Sequence, residues 1–193
     1  MKKILSIVLA LAMVLTMAAC GSADAEPTTP AAAESAGPAS ALELLENVWA
    51  QSGDEERFPI IGGNIEANIM DAPGNYDMAY AENMTYNLLV PAEQIENVSE
   101  AASMIHMMTA NPFTCGAFKL AEGVSAEDFG AAMQAAVQGN MWMCGVPERQ
   151  VIVSLEGGYV VMAFGVNDAM TPFFTHLQEA YPEANVLFDQ PIA

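Results

Sequence analysis

Positive charge is the scarcest feature of this chain: 5 Lys and Arg stand against 24 Asp and Glu in 193 residues. Phosphate binding needs clustered Lys and Arg, so the composition excludes nucleic acid as a partner. Histidine adds little positive charge, being limited to His106 and His176. They do not form the His-x-x-x-His spacing of a zinc site. Cysteine occurs at Cys20, Cys115 and Cys144, with no Cys-x-x-Cys pair. There is no Gly-rich phosphate loop. The nearest approach to a serine-nucleophile elbow, Gly123-Val124-Ser125-Ala126-Glu127, lacks its final Gly. The longest apolar run, Ile4 to Met17, is too short to span a bilayer, which takes about 20 residues.

That run is nonetheless informative. Lys2 and Lys3 precede it, and Met17-Ala18-Ala19-Cys20-Gly21 closes it. A charged start, a short apolar core and small residues at the end read as a secretory signal. The small pair meeting a cysteine resembles the lipobox of bacterial lipoproteins, with Met17 where Leu is usual. The resemblance implies that residues 1–19 are removed and that the Cys20 thiol receives a covalent diacylglycerol. It also implies that the chain is held by this anchor on the extracytoplasmic face of the cell membrane. The alternative is an ordinary secretory signal with Cys20 incidental.

Losing the leader removes Lys2 and Lys3. The remainder keeps Arg57, Lys119 and Arg149 against all 24 acids, a net −21. Anionic headgroups would repel such a chain, whereas cationic partners or loosely held divalent ions fit it. Residues 20–40 carry no large apolar side chain and are expected to form a disordered tether. Residues 41–193 are rich enough in apolar residues for one domain.

Within that domain Ser40-Ala41-Leu42-Glu43 is a capping box, and Leu42, Leu45, Val48 and Trp49 recur at helical spacing. Thr85 to Val90 reads as a strand. Ala92 to Ala102 reads as a helix, and Ser103 to Thr109 fits either continuation. Phe113 to Leu120 reads as a strand, and Ser125 opens a helix bearing Phe129, Met133 and Val137. Gln150 to Leu155 and Tyr159 to Phe164 form a hairpin across Gly157-Gly158. Thr171-Pro172 is expected to start a helix, as N-cap and first helical residue, and Asn185 to Phe188 a last strand. The expected fold is α+β: a ferredoxin-like β-α-β-β-α-β antiparallel sheet with both helices on one face, plus an N-terminal helix and strand extension. The layout from Ile95 to Tyr181, with its Phe113–Lys119 strand and its Val151–Val153 and Val160–Met162 hairpin, is similar to an uncharacterised domain of small lipoproteins of Gram-positive bacteria. That family has no assigned activity, so the resemblance implies a fold and lipoprotein status but no site residues.

Several side chains are candidates for chemistry. Cys115 and Cys144 are either a disulfide or free thiols. Met104, Met107 and Met108 surround His106, and Met141, Met143 and Cys144 follow the long helix. Thioether, thiolate and imidazole together suit monovalent copper, though Met also fills ordinary cores. Asp71, Asn75 and Asp77 flank Gly74 with a spacing unlike an EF-hand and read as an Asx-rich turn. The expectation for function is a non-catalytic binding module with a protein or small-molecule partner and no bound cofactor. The alternatives are soft-metal binding and an enzyme with a dispersed site, the latter favoured if the fold gathers Asp168, His106 and another acid in one cleft.

Overall fold

The computed structural model describes residues 37–192. The leader, Cys20 and the tether up to residue 36 lie outside the described residues. Helix α1 (Ala41–Trp49) begins as its sequence predicts. The Ser40 hydroxyl accepts the Glu43 N–H at 3.0 Å, and the Glu100 carboxylate accepts that of Ala41 at 2.7 Å. Strands β1 (Ile60–Gly62), β2 (Ile69–Met70) and β3 (Gly74–Asn75) follow, then a short helix α2 (Met84–Asn87). After them come β4 (Val98–His106), β5 (Phe113–Leu120) and helix α3 (Ala126–Gln138). Strands β6 (Arg149–Leu155) and β7 (Tyr159–Gly165), helix α4 (Asn167–Ala180) and strand β8 (Asn185–Pro191) complete the domain.

The eight strands make one antiparallel sheet in the order β2-β1-β4-β5-β7-β6-β8, with β3 also pairing with β4. The protein is therefore α+β as expected, but the strand order differs from a ferredoxin-like sheet. There the closing strand would lie beside β5. Here β4, joined to β5 by the short loop 107–112, fills that edge, and β8 pairs with β6 instead.

The change of edge moves a helix. Both crossovers, β5 to β6 and β7 to β8, step the same way across the sheet. They start from strands that point in opposite directions. The right-handed preference of such crossovers then requires α3 and α4 on opposite faces, and that is where they are. One core packs Leu44, Leu45, Phe173 and Leu177 of α1 and α4 against Met104, Cys115 and Val161. The other packs Phe129, Met133 and Val137 of α3 against Phe118, Ile152 and Met162. The expectation of both helices on one face is thus corrected. With both faces covered, β7 is buried at every residue and β5 at all but one, so neither strand shows clean alternation.

Three local readings also change. Thr85 to Val90 is not a strand. Met84 starts α2, and Leu89 takes φ +55° so that Leu88 and Val90 bury against the α3-side core. The outer edge of β4 is already paired with β1 and β3, so these β-prone residues have no free neighbour there. The helix expected over Ala92 to Ala102 is a 3₁₀ turn from Ala92 to Asn97 that passes into β4 at Val98. Helix α4 starts at Asn167, not Thr171, and holds Pro172 in its interior.

The sheet has two ends with different construction. At one end Glu156–Gly158 turns β6 into β7, both glycines at positive φ (+79° and +77°). Gly37 and Pro38, the first described residues, lie here against Leu155, Glu156 and Ala184. At the opposite end, where His106, Phe113, Arg149 and Gly165 terminate strands, the connections 50–59, 107–112 and 139–148 converge.

Candidate functional site

A cleft of about 410 Å³ opens at this second end. The 50–59 connection supplies one wall with Glu55, Glu56, Arg57 and Phe58. The start of α4 supplies the other with Val166, Asp168 and Ala169. His106, Asn111 and Glu148 complete the lining.

The fold positions each wall by long-range bonds. Arg57 donates to the carbonyls of Trp49 (3.2 Å) and Ser52 (3.1 Å) at the end of α1 and lies over the Trp49 ring. Its charge completes the C-terminal end of a helix. Glu56 accepts the Gly53 N–H at 2.8 Å and meets His176 Nε2 of α4 at 3.0 Å. The Gly53 bond first, then His176, lowers its pKa. On the other wall the Glu148 carboxylate accepts the Asn167 N–H at 2.7 Å, supplying from another segment the cap that α4 lacks locally.

His106 stacks on Phe58 with ring centroids 4.7 Å apart and 15° between planes. Its Nδ1 accepts the Met108 N–H at 2.8 Å, which fixes the neutral ring as the Nε2–H tautomer. Burial pushes its pKa down, so the neutral form persists further into acid. His106 is therefore a hydrogen-bond donor rather than a ready base. Among the described residues that line the cleft, none carries a hydroxyl or a thiol. The lining is dominated by the carboxylates of Glu55, Glu56, Glu148 and Asp168, and the one guanidinium is already bonded to backbone.

The expected metal set is split. Met104 is fully buried in the α1/α4 core opposite Cys115. His106 and Cys144 do share a groove of about 120 Å³ with Trp142 and Phe164. A metal on either ring nitrogen would have to break the Met108 bond, since each neutral tautomer offers one lone pair and the Met108 N–H can only donate. Met107, Met108, Met141 and Met143 are exposed. Among the described residues no three His, Cys, Asp or Glu side chains are grouped to hold a metal ion.

Of the two readings of Cys115 and Cys144, disulfide or free thiols, the structure has the second: both are free. Cys115 lies in mid-sheet, facing the α1/α4 core, whereas Cys144 is exposed in the 139–148 connection beside Phe164 of the α3-side core. Asp77 uses its carboxylate to cap a 3₁₀ turn, accepting the Ala79 N–H at 2.9 Å, as the Asx-turn reading requires. His176 is a structural tie between α4 and the 50–59 connection, with its side chain 14% exposed.

Sequence reasoning singled out His106 and Asp168 and missed Glu55, Glu56, Phe58, Asn111 and Glu148. No local pattern marks these five, because three connections separated in sequence bring them together. No protein-family model, curated protein or solved structure matches this chain.

Proposed function

We propose that this protein is a lipid-anchored extracytoplasmic lipoprotein whose folded domain binds a partner without reacting with it. The anchor rests on Lys2, Lys3 and the run closing at Met17-Ala18-Ala19-Cys20, and the binding role rests on an open cleft at the end of the sheet away from the domain's first residues. The chain joins the domain at Gly37–Pro38, and the cleft opens at the far end of the sheet. The two acyl chains of a diacylglycerol joined to Cys20 Sγ by a thioether would supply about 0.8 kcal/mol per buried methylene, enough for stable attachment without help from the acidic domain.

A binding role fits the cleft better than a catalytic one. The imidazole offers a proton rather than a lone pair, and the lining has no hydroxyl or thiol nucleophile. One observation favours the second reading, an enzyme with a dispersed site: His106, Asp168 and Glu148 do line one cleft. Acid–base or covalent chemistry there would fall to the carboxylates.

Metabolic labelling with an alkyne palmitate analogue tests the anchor. Label is expected on the wild-type chain and absent from Cys20→Ala. Label persisting on that variant would refute the lipoprotein reading.

A further inference from the structure

The connections 107–112 and 139–148 touch: a Cβ built on Gly145 would overlap the Thr109 carbonyl oxygen. Together they expose Met107 (46%), Met108 (55%), Met141 (87%), Met143 (91%) and Val146 (60%). Five of the eleven large apolar side chains exposed among the described residues thus sit on two adjoining loops. The same loops also build the cleft, the first through Asn111 and the second through Glu148. The exposed thioethers and the carboxylate-lined cleft therefore belong to the same two loops at one end of the sheet.

Charge decides what fits that surface. Every cation of the domain is engaged: Arg57 with backbone carbonyls, Lys119 over the Tyr159 ring at the other end, and Arg149 in a two-bond pair with Asp189 at 2.8 Å. None answers the carboxylates of Glu55 and Asp168. A second copy would bring two chains of net −21 together, and an anionic lipid surface would be repelled. Flexible thioethers accommodate varied apolar partners, as on other promiscuous binding surfaces.

We propose that this end of the domain docks a basic amphipathic segment of a partner protein, its apolar side on Met107, Met108, Met141 and Met143 and its Lys or Arg side chains toward Glu55 and Asp168. This rests on the binding-module reading but not on the anchor.

The test uses the chain from residue 20 with Cys20→Ser, so that no lipid competes for the probe. The probe is a fluorescent 18-residue Leu/Lys amphipathic peptide, followed by anisotropy. The combined Met107→Ser, Met108→Ser, Met141→Ser and Met143→Ser variant should bind at least tenfold more weakly while keeping its circular dichroism. Glu55→Gln with Asp168→Asn should weaken binding several-fold and flatten its salt dependence. Ile65→Ser, Ile69→Ser and Met70→Ser, which remove other exposed apolar groups, should change nothing. Equal losses from this control set, or unchanged affinity in the four-Met variant, would overturn the proposal. So would equal binding of a Leu/Glu version of the peptide, or self-association of the chain without peptide binding. These outcomes are read without the lipid, so they are separate from failure of the palmitate label.

Discussion

At the end where the chain joins the domain, helices begin with caps from their own neighbours, though Glu100 also accepts the first N–H of α1. Ser40 caps α1 and Ser125 caps α3, each within three residues, and β6 reaches β7 over Glu156–Gly158. At the far end the helix that begins there, α4, is capped by Glu148, nineteen residues upstream. Three connections cross at that end, and methionines stand in solvent. The first end is built largely from local bonds. The second is assembled from distant segments and leaves apolar and acidic groups uncommitted, which is where recognition is found on rigid scaffolds.

Glycine replacements probe that contrast most strongly. Gly145→Ala adds both a positive-φ strain (φ +68°) and a Cβ that overlaps the Thr109 carbonyl. It should cost about 3 kcal/mol in chemical denaturation and pry the two loops apart. Gly158→Ala at the other end has φ +77° but open space around its Cβ. It should cost only about 1–2 kcal/mol, from backbone strain alone. Equal losses would mean that the loop contact contributes nothing.

Next in size is the borrowed cap. Glu148→Ala should destabilise by about 1 kcal/mol and lower hydrogen-exchange protection in the first turn of α4, leaving α1 and α3 untouched. Protection lost equally in all three helices would contradict an independent role for the far end.

The smallest effect is on pH dependence. Burial lowers the His106 pKa below 6.5 in the folded state. Between 6.5 and that lower value the unfolded chain holds the extra proton, so stability is full above pH 6.5 and declines as pH falls through this window. A two-dimensional NMR titration should give His106 a midpoint below 6.5. A midpoint above 6.5 would place a negative partner on the ring instead of the Met108 N–H and would revive a catalytic reading of the cleft.

These differences also set what the sequence could disclose. Ser40, Ser125 and the Gly157-Gly158 turn are readable because each bond they make spans a few residues. The identity of β5, β6 and β7 is readable from their apolar and β-branched runs. The partner of β8 is not, because both edges of the sheet suit its direction and only the prior claim of β4 on β5 decides. With that edge taken, α4 must cover the opposite face from α3, and the strands lose their alternation. Pro172 suggested a helix start because the true cap, Glu148, comes from elsewhere in the chain. Likewise His106 and Asp168 stand out by residue type, but the acids beside them are ordinary surface carboxylates until the 50–59 and 139–148 connections converge.

The most direct test concerns which side of the membrane holds this domain. In a Cys144→Ser chain carrying Tyr86→Cys, at a position 81% exposed and outside the docking loops, a membrane-impermeant maleimide should modify the new thiol in cells with an intact cytoplasmic membrane. Cys115, fully buried with its thiol pKa pushed far up by that burial, should stay unmodified. Modification of the new thiol only after lysis would contradict an extracytoplasmic domain.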